Sequence, residues 1–126
     1  MDDLLRSLKE RVQPGDRETL QSIIERIGDK WSVMVLVIIS KHPRRFTDLL
    51  DIVPGISRRM LTVTLRQLER DGLITRVVHA AVPPHVEYTI TELGLTARGP
   101  LSAMLAWALD HRDEILSNRE TYDKVV

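Results

Sequence analysis

Arginines and a threonine recur at helical spacing in the segment that follows Ser57. At 3.6 residues per turn, Arg59, Thr62 and Arg66 lie on one side of a helix, and leucines occupy the other side. A guanidinium can donate two parallel hydrogen bonds to O6 and N7 of guanine, and a threonine hydroxyl can bond to a base edge. The spacing predicts a helix that contacts bases in the DNA major groove. The alternatives are contact with phosphates alone, or a surface helix with solvated arginines.

Further basic side chains surround this helix. Arg44 and Arg45 come before the preceding helix, and Arg58 lies in the first turn of the arginine helix itself. We assign these three residues to phosphate contacts, together with the free N–H groups near Ser57, because helix N-termini attract anions. A solvated loop is the alternative at Arg44. The predicted DNA-binding residues are Arg44, Arg45, Ser57, Arg58, Arg59, Thr62, Arg66, Arg76 and His85.

A turn and a cap must position the arginine helix. The Pro54–Gly55 pair ends the preceding helical pattern, and Ser57 is suited to the N-cap position. Ile56 and Leu61 then have the spacing of a hydrophobic staple, which sets the direction of the helix. The apolar stripe that must face the core consists of Leu61, Leu65 and Leu68, flanked by Met60.

Four helices are predicted before the turn, from apolar residues spaced three and four apart. The first covers residues 2–12, and the second ends at Gly28. The run Val33–Ile39 is equally compatible with a buried strand, but an N-cap at Asp29 and an extent to Lys41 favour a buried helix. The fourth helix covers Phe46–Val53.

Beyond Gly72, which suits a left-handed C-cap, the periodicity becomes that of strands. Valine-rich and isoleucine-rich segments at residues 74–80 and 86–90 flank a proline turn at 81–85, which predicts a β-hairpin. Thr91 can cap a last helix over residues 92–117, weakened near its start by Gly94 and the Gly99–Pro100 pair. The expected fold is mainly α with a β-hairpin, a winged helix-turn-helix DNA-binding domain. Its helix-turn-helix covers residues 46–72 and its wing hairpin residues 74–90.

Length and charge set broader limits. The 126 residues, 43% of them hydrophobic, predict a single domain over residues 1–126. The net charge of zero conceals a basic segment, because residues 41–76 hold eight basic and four acidic side chains, a charge of +4. The N-terminus lacks the pattern of a signal peptide, and the longest apolar run is too short to span a membrane. A cytoplasmic protein with no membrane partner is expected.

The sequence gives little support for redox, metal-binding or catalytic chemistry. The chain has no cysteine, which excludes disulfides, thiolate zinc sites and thiol redox switches. The four histidines show no close ligand spacing, so neither a metal site nor a cofactor is predicted. Adjacent carboxylates diverge on a helix and no catalytic motif is present, so an enzyme is not expected. Trp31 and Trp107 are interpreted as core or dimer packing rather than as the lining of an effector pocket.

Four segments resemble the HxlR-type bacterial transcriptional regulators, relatives of the MarR group. They are GDKW at residues 28–31, RRFTDL at 44–49, the segment from PGIS to DGL at 54–73, and VPPHVEYTITELG at 82–94. The resemblance covers roughly residues 18–116 in uninterrupted order. It implies a homodimer that binds a palindromic operator, with the N-terminal and C-terminal helices (about residues 2–12 and 92–117) forming the dimer. The implied dimer residues are Leu4, Leu8, Leu101, Met104, Trp107 and Ala108.

Two departures from the family pattern concern control and the wing. Many relatives carry a cysteine shortly before the GDKW-type motif, used in some to sense oxidants or electrophiles, whereas this chain has Arg17, Glu18 and Thr19 there. Thiol sensing is therefore excluded, which leaves a small-molecule effector at the dimer interface, a partner, or no effector. The hairpin tip is often more basic in the family, and His85 there predicts weaker or pH-dependent phosphate contacts.

Two other functional classes compete with a dimeric DNA-binding regulator. A winged helix used only for protein–protein contact is the first, and the charge of +4 over residues 41–76 argues against it, since such a module needs no basic outer helix face. An enzyme is the second, and no constellation of residues supports it. The prediction is a bacterial regulator that binds double-stranded DNA sequence-specifically.

Overall fold

The structure is a computed structural model that describes residues 2–125. The predicted class, mainly α with a β-hairpin, is confirmed. None of the helices between residues 2 and 125 has the length and apolar content that crossing a bilayer requires. In chain order the elements are α1 (Asp2–Arg11), α2 (Asp16–Gly28), α3 (Lys30–Ile39), β1 (Arg44–Arg45), α4 (Phe46–Ile52), α5 (Arg58–Arg70), β2 (Ile74–His79), β3 (His85–Ile90) and α6 (Glu92–Val125).

Helix α3 lies at the centre of the core, where the sequence left a helix and a strand as alternatives. The helix is confirmed, and so is its cap: the Asp29 carboxylate accepts the backbone N–H groups of Trp31 and Ser32 at 3.2 and 3.3 Å. A helix that is apolar nearly all round must be covered on several sides, and α2, α5, α6 and β3 all pack against this one. Trp31 packs against the core, as predicted. The buried residues of α3 are Ser32, Val33, Val35, Leu36 and Ile39.

Both predicted caps of α5 are confirmed. The Ser57 hydroxyl accepts the backbone N–H of Met60 at 3.0 Å, which satisfies one of the free donors of the first turn. At the other end Gly72 has φ +78°, a conformation that favours glycine. The N–H of Leu73 then donates to the Leu68 carbonyl at 3.0 Å, as in a Schellman motif. These caps limit α5 to thirteen residues, Arg58–Arg70.

The inner face of α5 fixes its orientation on the core. The predicted leucine stripe is buried, and Ile56, just before the cap, is buried with it. Thr64 is also buried, although the stripe did not include it. Since this face packs against α3, the opposite face with its arginines is turned to solvent.

The hairpin is confirmed, but its turn lies one residue earlier in the chain than predicted. Strands β2 and β3 pair antiparallel, from Ile74 opposite Ile90 to His79 opposite His85. His85 is therefore the first residue of β3 and not part of the turn, which covers residues 80–84. The difference follows from the pairing, because the two strands end at the last residues with a partner across the ladder, His79 and His85.

A third strand, β1, was not predicted. It joins β3 on the side away from β2, so that the order of the antiparallel sheet is β1-β3-β2. Arg44 lies opposite Tyr88, and Arg45 lies opposite Glu87. Two arginines carry no strand pattern of their own. Their backbone pairs because β3 would otherwise expose an unpaired edge.

Helix α6 is longer than predicted and is not split. It continues through Pro100 to Val125 instead of ending near residue 117. Its last turns are polar, with Lys124 and Glu120 paired at 3.3 Å one turn apart, so solvated helix formers rather than an apolar stripe extend it. Its 34 residues correspond to a rod about 50 Å long.

The start of α6 is fixed against the sheet. The Thr91 hydroxyl accepts the N–H of Gly94 at 3.0 Å, as predicted for a cap, and lies within hydrogen-bond distance of the Leu73 carbonyl. Gly94 is buried there, since a Cβ on it would collide with that same carbonyl oxygen and would lie 2.5 Å from Cδ1 of Ile90. The glycine thus permits a close approach of helix and strand. A larger side chain at this position would separate α6 from the sheet.

Candidate nucleic-acid interface

The outer face of α5 carries the three predicted base-contacting residues. Arg59 and Arg66 are exposed, and Thr62 is half-buried between them. The Thr62 hydroxyl donates its proton to the Arg58 carbonyl at 2.9 Å. In this arrangement the hydroxyl oxygen is left as an acceptor, so it can bond to the amino group of a cytosine or an adenine. The arginines supply the donors beside it.

A cleft of about 380 Å³ separates α5 from the sheet. It brings Thr62 and Arg66 of the helix together with Arg76 of β2, although ten or more residues separate the strand position from the helix positions. Two cationic side chains and one carboxylate border it, and the lining is mostly polar. The lining residues are Phe46, Thr62, Leu65, Arg66, Glu69, Arg76 and Tyr88.

The two arginines of β1 stand at the edge of the sheet. The backbone N–H of Arg45 donates to the Asp48 carboxylate at 3.0 Å, which anchors the start of α4. The Nε of Arg44 is buried and has no hydrogen-bond partner among residues 2–125. An unpaired buried donor on a cationic group is costly unless a ligand or water satisfies it. Arg44 thus lies in a paired strand, and the residue is half-buried.

Arg58 lies at the junction of the two helices of the helix-turn-helix. Its guanidinium carbon lies 6.0 Å from the centre of the Phe46 ring, at the outer limit of a cation–π contact. The side chain therefore lies over the start of α4, close in sequence to the Ser57 cap. Arg44 and Arg45 immediately precede α4, and Arg58 and Arg59 are the first two residues of α5. The N-terminal ends of the two helices thus bring four arginines to this region.

His85 does not join the other predicted residues. In the β2–β3 ladder Arg76 pairs with Tyr88, and residues one position along a strand point to the opposite face. His85 pairs with His79 and lies on the face away from the cleft, where its ring stacks on that of His79. The structure thus brings Thr62 and Arg66 of α5 together with Arg76 of β2, and it separates His85 from them.

Sequence reasoning missed Tyr88 and Glu69 as lining residues of the cleft. Tyr88 alternates with Glu87 along β3, and that pattern indicates only which face of the strand it occupies. Its place opposite Arg76 depends on the strand register, which no local pattern specified. Glu69 follows Arg66 by three positions, a spacing that could have placed both on the same side of the helix.

The predicted dimer residues fall into two groups. Leu4 and Leu8 of α1 and Met104, Trp107 and Ala108 of α6 are exposed, Trp107 by 57%. Leu101 corrects the prediction: it is only 5% exposed and belongs to the core of the protomer. Helical spacing assigned it to the same stripe as Met104, yet the N-terminal half of α6 packs on α3 and buries it.

A second cleft, apolar and about 420 Å³ in volume, lies between α2 and α6. It borders the residues that follow α5, since Asp71 and Leu73 form part of its wall. Arg26 of α2 pairs with Asp71 at 3.5 Å across the same region. The full lining is Ile23, Ile27, Asp71, Leu73, Leu93, Thr96 and Ala97.

A capped arginine helix after a tight turn, next to a hairpin that adds another arginine, defines a winged helix-turn-helix DNA-binding protein. Residues 26–116 match the model of the HxlR-like helix-turn-helix family, and the chain belongs to that family. The family and the relatives described next are transcriptional regulators, so this chain is a DNA-binding transcriptional regulator and not an enzyme.

Similar proteins cover most of the chain. The HTH-type transcriptional regulator YtcD of Bacillus subtilis (strain 168) is 36% identical over 97 residues, 77% of each chain. The HTH-type transcriptional regulator YtfH of Escherichia coli (strain K12) is 32% identical over 117 residues, 93% of each chain. Among solved structures, that of the transcriptional regulator ytfH from Salmonella typhimurium has a TM-score of 0.73 at 34% identity. It covers 79% of this chain and 89% of that chain.

Proposed function

We propose that this chain acts as a homodimer on a palindromic operator, with α5 in the major groove and the β2–β3 hairpin against the neighbouring backbone. The observation that carries the proposal is the shared cleft, in which Arg66 of the helix and Arg76 of the hairpin border one surface. DNA can contact the helix and the hairpin at the same time, because base edges and phosphates lie side by side along its groove.

Specific residues take different roles in this proposal. Arg59, Thr62 and Arg66 contact base edges, because they lie on the exposed face of the helix that enters the groove. Arg44, Arg45, Ser57, Arg58 and Arg76 position the protein on phosphates, because they surround the helix N-terminus and the cleft. The imidazole of His85 by itself contributes least, since its ring is stacked against His79 on the face of the hairpin away from the cleft.

The homodimer is supported by apolar side chains that the protomer leaves uncovered. No residue of α1 or α2 is buried, although both helices have one apolar side. Large apolar residues also remain exposed along the C-terminal half of α6. A surface of this kind is typical of a protein interface. A twofold pairing of these helices buries them and sets two copies of α5 about 34–36 Å apart, one helical turn of DNA.

If the dimer binds a small-molecule effector, the apolar cleft between α2 and α6 is the binding site that we propose for it. Its volume of about 420 Å³ is within the range of ligand pockets. Exposed residues of α2 continue from this cleft onto the surface that we assign to the dimer, and its wall includes the segment after α5. A ligand there would therefore contact both the dimer helices and the base of the recognition helix.

The proposal is tested by an electrophoretic shift assay with DNA from upstream of the chain's own gene. We expect a saturable complex at micromolar dimer whose affinity falls steeply with salt. Replacing Arg44 and Arg45 by alanine should make the slope of log K against log [salt] less steep by about 0.9 for each phosphate that the protein no longer neutralises. Arg112→Ala with Arg119→Ala, exposed on α6, is the matched control and should keep the slope. A slope identical in all three proteins contradicts the phosphate assignment, and no salt-sensitive complex contradicts the function.

Base contact by Arg66 is tested by substitution and a set of operator variants. Arg66→Ala should lose about 1–3 kcal/mol of discrimination at one base pair, because it removes the two hydrogen bonds that the guanidinium donates to guanine. Arg70→Ala, one turn further on the same exposed helix and outside the cleft, should lose little. Fluorescence anisotropy with each variant measures both. A loss for Arg66→Ala that is uniform over all sequences would mean that this arginine contacts phosphate only.

A further inference from the structure

Three side chains that can bind a metal ion meet on the outer face of the wing, the β2–β3 hairpin. His79, His85 and Glu87 each offer one ligand atom, and these atoms lie within 4.8 Å of one another. The Nε2 atoms of the two histidines both face Oε1 of Glu87, at 2.6 Å from His79 and 3.8 Å from His85. All three side chains are half-buried, with 43%, 27% and 28% of their surface exposed.

The strand register creates this cluster. His79 is directly opposite His85, and the two rings stack with their centres 4.6 Å apart. Glu87 follows His85 by two positions and so points to the same face of β3. Sequence spacing predicted no metal site, because histidines six residues apart in a chain are neighbours only when a hairpin folds between them.

Two imidazoles and one carboxylate form a ligand set that suits Zn²⁺. In a tetrahedral shell with bonds of about 2.0–2.1 Å the ligand atoms are about 3.3 Å apart. The atoms of this cluster need to move by about 1.5 Å or less to reach that spacing from 4.8 Å. Partly exposed side chains at the end of a hairpin can make such a movement by rotation. The fourth position is left to water, since three protein ligands are at hand.

We propose that His79, His85 and Glu87 form a Zn²⁺ site that supplies positive charge to the wing. No lysine or arginine occurs in residues 77–86, so the far end of the hairpin has no permanent cation. On the neighbouring strand, the pairing places Arg45 of β1 across from Glu87. A bound Zn²⁺ changes the charge of the cluster from −1 to +1 when the histidines are neutral. It also ties the two strands together where the turn begins.

The metal site is tested by calorimetric titration of chelator-treated full-length protein with Zn²⁺. We expect one ion per chain, and no binding of Mg²⁺, which prefers oxygen ligands. His79→Ala and His85→Ala should each weaken Zn²⁺ binding by at least about tenfold, the smaller loss seen even for outer-shell changes. The double variant His42→Ala with His111→Ala removes the two histidines outside the cluster and should bind as the unaltered protein does.

Circular dichroism distinguishes loss of the metal site from unfolding, because each variant must retain the helical spectrum and a cooperative thermal transition. Stoichiometric binding that survives in both His79→Ala and His85→Ala overturns the site. Absence of binding by the unaltered protein at hundred-micromolar Zn²⁺ overturns it as well. Glu87→Gln keeps the shape of the side chain and removes its charge, so it should weaken Zn²⁺ binding without unfolding the hairpin.

The consequence for DNA rests on the proposed function, whereas the metal site does not. With Zn²⁺ bound, the salt dependence of operator binding should become steeper by about 0.9 for each further phosphate that the wing neutralises. His79→Ala should show the same slope with and without Zn²⁺. If Zn²⁺ binds but leaves the slope of the unaltered protein unchanged, the coupling to DNA is wrong and the site stands. If no operator complex forms with or without Zn²⁺, the proposed function fails independently.

Discussion

Replacing Met104 and Trp107 by aspartate is expected to convert the proposed dimer into monomers and to weaken operator binding by about 10²–10⁴-fold. Both side chains are large, apolar and about half exposed in the protomer, at 45% and 57%, so the change leaves the protomer core intact. A carboxylate in a dimer interface would be desolvated without a partner. The loss at DNA arises because each monomer then binds a half-site alone.

Analytical ultracentrifugation measures the mass of this double variant, and fluorescence anisotropy measures its affinity for an operator and for an isolated half-site. The matched control is Asn118→Asp with Thr121→Asp, which adds the same charge to exposed polar positions of the same helix. We expect the control to remain dimeric and to bind as before. A variant that stays dimeric at low micromolar concentration would show that α6 does not form the interface at these residues.

Leu68→Ala is expected to lower the free energy of unfolding by about 2–5 kcal/mol. The side chain is fully buried on the inner face of α5, and its carbonyl accepts the bond that closes the C-terminal cap. Truncation leaves a cavity between α5 and the core, and the loss is a large part of the about 5–15 kcal/mol that stabilises a typical domain. The orientation of α5 depends on this packing, so operator affinity should fall as well if α5 enters the major groove as proposed.

Urea denaturation followed by circular dichroism measures the change. Val63→Ala is the matched control, because it truncates a branched apolar side chain that is 40% exposed on the same helix. Its effect should stay within about 0.5 kcal/mol. A loss of similar size in the two variants would contradict the burial of the leucine stripe as the source of the stability. An unchanged midpoint for Leu68→Ala would contradict its place in the core.

Most of the helix-turn-helix could be predicted from the sequence. The cap at Ser57, the C-cap at Gly72 and the leucine stripe each act over one or two helical turns. Their effect is local, so neighbouring residues in the sequence are enough to recognise it. The same holds for Asp29, whose capping bonds to nearby backbone N–H groups decided between helix and strand at α3. Caps and periodicity are sufficient wherever an element is specified by its immediate neighbours.

Errors arose where a residue's surroundings come from distant parts of the chain. Leu101 has the helical spacing of a surface stripe, but packing against α3 buries it. Arg44 and Arg45 pair with β3, more than forty residues later, and no local signal marks them as a strand. Helix α6 continues past its predicted end because polar side chains can form a solvated helix without an apolar pattern.

By itself the sequence determined the order of the helices and of the β2–β3 hairpin, the caps of α3 and α5, the basic segment of residues 41–76 and the absence of thiol chemistry. These properties depend on composition or on interactions within a few residues. Only the tertiary structure decided which side chains share a surface. It set Arg66 beside Arg76 in one cleft, and it set His79 and His85 next to Glu87 on the opposite face of the wing. The reason is the strand register, which depends on pairing between segments and on packing against the core.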